Sequence, residues 1–164
     1  MKALVIYDSF FGNTEKVAQA IAKGLGSEHE LAVMRVGAVG PEHLSGLGLL
    51  ITGSPTRAFH ATPAMMKLIN GLPKNSLKGV TVAAFDTRIV LEDINSRFLN
   101  VMVKLFGYAA QPMLNKLLAK GGRKALPAEG FFVTGTEGPL KEGELERAEA
   151  WAKDILSTLS HSGS

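Results

Sequence analysis

Cysteine is absent from the 164-residue chain. That absence excludes disulfides, thiolate metal sites and thiol nucleophiles together. Long apolar runs are missing too: none approaches the ~18 residues that a membrane span requires. The N-terminal run meets Asp8 too soon to form a signal-peptide core. Lysines and arginines are scattered, so a net charge of +3 and a pI near 9.2 do not make a nucleic-acid patch. His29, His43, His60 and His161 lie far apart and lack metal-ligand spacing, and no metal site is expected. Three short motifs are also missing: G-x-x-x-x-G-K-[ST], a G-x-G-x-x-G that follows a strand, and G-x-S-x-G. Nucleotide triphosphate hydrolysis, a Rossmann dinucleotide site and a hydrolase nucleophile thereby lose their main support. The expectation is a cytoplasmic protein with no transmembrane segment and no nucleic-acid partner.

What is present is globular: 46% of residues are hydrophobic and 20% charged. The length suits one domain with a real core, placed at residues 1–160, with 161–164 expected as a disordered tail. Residues 2–7 read as a strand whose continuous run Leu4-Val5-Ile6 suits a sheet covered on both faces. Residues 14–25 repeat Val17, Ala18, Ile21, Ala22 and Leu25 at helical spacing. Further strands are predicted at about 30–36, 47–53, 80–89 and 130–139. Helices are predicted after Pro63, at 109–120, and over the amphipathic stretch from Leu140 to Leu159. This alternation predicts an α/β fold, a doubly wound five-stranded parallel sheet. Such sheets bind ligands beyond the carboxyl ends of their strands, which directs attention to the exits after residues 7, 53, 86 and 134.

The first exit, "YDSFFGNTEKVA", places Ser9, Asn13 and Thr14 where a strand turns into a helix, and Gly12 lets backbone amides come close. Hydroxyls, amides and a helix N-terminus are the donors that a phosphate needs. A plainly capped helix, with Asn13 or Thr14 as N-cap, explains the same residues. The loop has no cation before Lys16, so it reads as a binding loop and not as a phosphoryl-transfer clamp.

"Ser9-Phe10-Phe11-Gly12-Asn13-Thr14" resembles the flavodoxin phosphate loop, [ST]-x-[ST]-G-x-T. "Ser54-Pro55-Thr56-Arg57-Ala58-Phe59" is similar to the second FMN loop of flavodoxin-like proteins, and "Phe85-Asp86-Thr87-Arg88" falls at their third. The segments are collinear over nearly the whole chain. The resemblance implies a flavodoxin-like sheet of order 2-1-3-4-5 and non-covalently bound FMN. On it, Ser9, Gly12, Asn13 and Thr14 hold the phosphate with the amides of Phe10 and Phe11. Pro55, Thr56, Arg57, Ala58 and Phe59 lie along one side of the isoalloxazine ring, with Phe59 stacked on it. Asp86, Thr87 and Arg88 meet its polar edge. Phe11 stands where a hydroxyl residue is usual, no aromatic directly follows Arg88, and the basic balance differs from the acidic surfaces of electron-shuttle flavodoxins.

Between Arg88 and Pro112, residues 94–106 wound as a helix put their apolar side chains on an arc of roughly 200°. A core helix, a lid, or an interface between copies of the chain each fit that arc. The expected function is electron transfer through FMN, with redox partner proteins. An FMN-dependent oxidoreductase acting on a quinone or similar small oxidant is the alternative. A flavodoxin-fold binding module without flavin is a third. No catalytic side chain is singled out, since the flavin would carry the chemistry.

Overall fold

The computed structural model describes residues 1–89, 97, 101 and 107–161. Among the described residues the elements run in the order β1 (Lys2–Tyr7), α1 (Asn13–Leu25), β2 (Glu30–Arg35), β3 (Leu49–Pro55), α2 (Pro63–Asn70) and β4 (Thr81–Ile89). There follow α3 (Ala110–Ala119), β5 (Arg123–Lys124), β6 (Glu129–Val133) and α4 (Glu144–His161). All strand pairs are parallel, and the sheet runs β2-β1-β3-β4-β5 with β6 also on β4. The order is the expected 2-1-3-4-5.

The fifth position in the sheet is shared by two segments. Thr81 and Val82 pair with Arg123 and Lys124, while Phe85 to Ile89 pair with Glu129 to Val133. Two extra residues are accommodated between these registers, where Pro127 has no N–H to give to a ladder. Residues 134–139, predicted as strand, instead form a loop in which the Thr134 N–H and hydroxyl both donate to the Pro139 carbonyl. Of the predicted 94–106 helix, only Arg97 and Val101 are among the described residues, both helical and exposed. The core, lid and interface readings of that segment fall outside them.

The unbroken apolar character of β1 follows from its two neighbours. Ala3, Val5 and Tyr7 feed a core with α1 and α4, where Val17, Ile21, Ala152 and Ile155 lie. Leu4 and Ile6 feed the opposite core with Met65, Ile69, Met113 and Leu117 of α2 and α3. In the first core Phe85, Phe131 and Trp151 meet edge to face, with centroids 6.0–6.2 Å apart. In β3, the Thr52 hydroxyl is buried and has no hydrogen-bond partner among the described residues. An unmet hydroxyl costs ~1–3 kcal/mol. Thr52→Val keeps the shape and is expected to stabilise the fold by about 1 kcal/mol; an unchanged or lower denaturant midpoint would refute this.

The register also builds the site. Tyr7, Gly53 and Phe85 are aligned across the sheet, so the exits of β1, β3 and β4 leave at one level.

Candidate functional site

Those exits, with the end of β6, line one cleft. Its walls are Ser9, Phe10, Phe11, Asn13 and Thr14 from the first loop, Pro55, Thr56 and Arg57 from the second, and Thr87 and Arg88 from the third. Of the fourteen residues that the sequence points to, ten line the cleft, and Gly12, Ala58, Phe59 and Asp86 do not. Ile89, Val133 and Thr136 line the cleft and were not foreseen.

The first loop is held from below. Asp8 is buried and accepts from the Ser9 N–H at 2.9 Å, and Arg35 donates to the Ser9 carbonyl at 2.8 Å. Arg35 also lies 3.6 Å from Asp8 and 3.7 Å from Glu15. Ser9 Oγ accepts from the Gly12 N–H at 3.0 Å, which leaves its own proton to donate. The N-cap of α1 is Gly12 at φ 89°, a conformation that favours glycine, and no side chain caps the helix. The reading with Asn13 or Thr14 as N-cap is therefore corrected. Asn13 donates through Nδ2 to the Glu137 carbonyl at 3.0 Å, fastening the loop after β6 to the cleft. Thr14 and Thr87 share one hydrogen bond of 2.8 Å between their buried hydroxyls. One proton of that pair is engaged and the other is left to donate.

The donor chemistry of this loop fits a phosphate. The uncapped α1 end begins at the buried residues Asn13 and Thr14, and buried helix ends require partners for their first N–H groups. Two hydroxyl protons and a positive helix end point the same way.

The second loop is set by Ser54, fully buried, whose hydroxyl donates to the Pro55 carbonyl and accepts from the Thr62 N–H. Arg57 and His60 exchange backbone hydrogen bonds of 2.8 and 2.9 Å around Ala58 and Phe59, at φ 46° and 71°. Non-glycine residues held at positive φ are the kind of local strain that functional loops store. Phe59 is half-buried and His60 exposed. The Arg57 guanidinium lies over the rings of Phe10 and Phe11, at 4.8 and 5.9 Å from their centroids. No carboxylate is within ion-pair distance of it among the described residues.

In the third loop, Asp86 is completely buried and grips Arg88 with both oxygens, at 2.6 and 2.7 Å. It also accepts from the Ala110 N–H at 2.9 Å, so it serves the start of α3. Burial pushes its carboxyl above the usual carboxylate range, against the pull of Arg88 and the Ala110 N–H. Tyr108 lies against Arg88, 3.7 Å from ring centroid to guanidinium carbon, and burial raises its phenol. Tyr108 gave no local signal, because 20 residues separate it from Arg88 and only the crossover brings them together.

Among the described residues no acidic, histidine or cysteine cluster suits a metal ion. Likewise, no helix among them is long and apolar enough to cross a membrane.

No family model and no curated sequence matches the chain. Solved structures do. A flavodoxin from the domain Archaea superposes with a TM-score of 0.77 at 23% identity, covering 98% of this chain and 100% of its own. Flavodoxin 1 from Bacillus cereus gives 0.74 at 18% identity, covering 96% and 98%. The Flv1 flavodiiron core from Synechocystis gives 0.72 at 19% identity and covers 99% of this chain, but only 36% of its own. With the observed strand order, these likenesses establish that the chain has the flavodoxin-like fold.

Proposed function

We propose that the cleft binds FMN non-covalently and that the protein transfers electrons through it as a flavodoxin-like redox protein. The observation that carries this reading is the uncapped N-terminus of α1, ringed by the hydroxyls of Ser9, Thr14 and Thr87 at the carboxyl edge of a flavodoxin-like sheet. When bound, FMN would supply the redox chemistry, accepting and giving up electrons at its ring. The chain supplies placement. Ser9, the Thr14–Thr87 pair and the loop amides would hold the phosphate, and Asn13 ties the loop after β6 against them. Pro55, Thr56, Ala58 and Phe59 would flank the ring, while Arg88, steadied by Asp86 and Tyr108, would face its polar edge. Redox partner proteins would exchange electrons at the open mouth, where Phe10 and Phe11 are exposed.

Reconstitution with FMN should give a yellow protein, and a protein that stays colourless with excess FMN would overturn the reading. Thr14→Val should weaken FMN binding by about 1.5–3 kcal/mol, the worth of a hydrogen bond to a charged group. Riboflavin, which has no phosphate, should bind both versions about equally. An unchanged FMN titration would remove Thr14 from the phosphate site.

A further inference from the structure

We propose that Arg57 is the charge that makes this cleft select a phosphorylated flavin over an unphosphorylated one. The inference rests on the FMN reading above and assigns a specificity determinant within it. Every donor in the first loop is neutral: hydroxyls, a side-chain amide and backbone N–H groups. A phosphate dianion seated there meets a helix N-terminus and no formal positive charge from the loop itself.

The cations nearby are not equivalent. Arg88 lines the cleft, but its fork is closed on the buried Asp86 carboxylate. Arg35 is engaged with Asp8, Glu15 and the Ser9 carbonyl beneath the loop, and it does not line the cleft. Lys16 is exposed and lines a separate groove with Glu15, Lys23 and Glu149. Arg57 lines the same cleft as Ser9, Asn13 and Thr14, and it alone of the cleft-lining cations has no carboxylate partner among the described residues.

Its position is also prepared. The two backbone hydrogen bonds with His60 fix the Arg57 main chain at the lip of the second loop. Its guanidinium then rests on the faces of Phe10 and Phe11, which belong to the phosphate loop. Phe10 and Phe11, 56% and 47% exposed, present these faces at the surface of the loop. The aromatic faces hold the cation without neutralising it. Arg57 thus joins the ring-side loop to the phosphate loop and keeps its full charge for an anion. A planar five-donor guanidinium suits phosphate oxygens better than an ammonium does.

The test is titration of the apo-protein with FMN and with riboflavin, for the native chain, Arg57→Lys and Arg57→Gln, at low and high salt. Arg57→Gln is expected to weaken FMN by about tenfold or more at low salt, as for loss of a charge-assisted hydrogen bond. Riboflavin should change by less than about twofold, since the lost interaction is with the phosphate. The native preference for FMN should shrink as salt rises, because an exposed charge is screened, and the preference of Arg57→Gln should respond much less. Arg57→Lys should fall between the two. Equal weakening of FMN and riboflavin would make Arg57 a ring contact and overturn the proposal, as would no change in either. If the native protein bound neither flavin, the FMN reading would fall and this one with it. If the native protein bound FMN and riboflavin equally, only this one would fall.

Discussion

Arg88→Met is expected to destabilise the fold at pH 7 by about 3–5 kcal/mol, the usual cost of removing one partner from a buried ion pair. Asp86 has no exposed surface, and Arg88 bonds both of its oxygens, beside a hydrogen bond from the Ala110 N–H and one from the Thr56 side chain. Without Arg88 the carboxylate loses its charged partner and is left with neutral donors, the Ala110 N–H and the Thr56 side chain. The loss should depend on pH with a definite sign. Asp86 already has a folded-state pKa above its unfolded value because of burial, and removing Arg88 raises it further. Ionisation of such a group lowers stability as pH rises through the folded value. The variant's deficit is therefore full above that value and shrinks as pH falls toward the unfolded pKa of ~3.9. Tyr108, the other titratable group against Arg88, stays neutral across this range because burial raises it from an already high value. Denaturant melts of both proteins at pH 7 and pH 5 measure the difference. A deficit that is the same at both pH values would mean that lost packing, not the stranded carboxylate, is responsible. Replacing both partners, Arg88→Met with Asp86→Leu, should recover most of the loss, since a buried pair replaced by apolar groups is often neutral.

That pair also shows where sequence reasoning stops. Asp86 and Arg88 are visible at the end of a strand, and a strand exit in a parallel sheet is a place for ligand contacts. Whether such a carboxylate faces the ligand or the core depends on what covers it. Here the cover is the start of α3, more than 20 residues away. The same holds for Asn13, whose amide is bonded to a carbonyl 124 positions on. By contrast, β1, α1 and β4 were legible because their residues carry the whole signal: unbroken apolar runs bounded by loop chemistry, or apolar residues at helical spacing. β5 was not legible, since two charged residues show no period and gain their strand geometry only by pairing with Thr81 and Val82. The first-loop donors were legible as a set, because strand-loop-helix order fixes what can point beyond the sheet. The Arg57 rest on Phe10 and Phe11 was not, because it joins two loops that only the folded sheet sets side by side.

Gly53 is the sharpest case of a residue whose reason lies in another strand. In the sequence it reads as the glycine that ends an apolar run; in the fold it is an interior residue of β3, opposite Phe85 in the β4 register. A Cβ at this position would stand 2.0 Å from Phe85 Cζ and 2.3 Å from Cε1. The ring cannot yield, because it is fully buried and packed edge to face against both Phe131 and Trp151. Gly53→Ala is therefore expected to cost about 3 kcal/mol, the upper part of the range for forcing atoms into a filled core. The damage should reach the cleft, since the Gly53 carbonyl accepts the Asp8 N–H at 3.0 Å and Asp8 supports Ser9. A second change separates steric conflict from any backbone requirement. Phe85→Leu removes the conflicting ring edge and on its own leaves a void. Combined with Gly53→Ala, it should lose clearly less than the sum of the two single changes, by 1 kcal/mol or more on a double-mutant cycle, as expected for residues in direct contact. Chemical denaturation of the four proteins gives that coupling. Strict additivity would mean that Phe85 is not what keeps a side chain out of position 53.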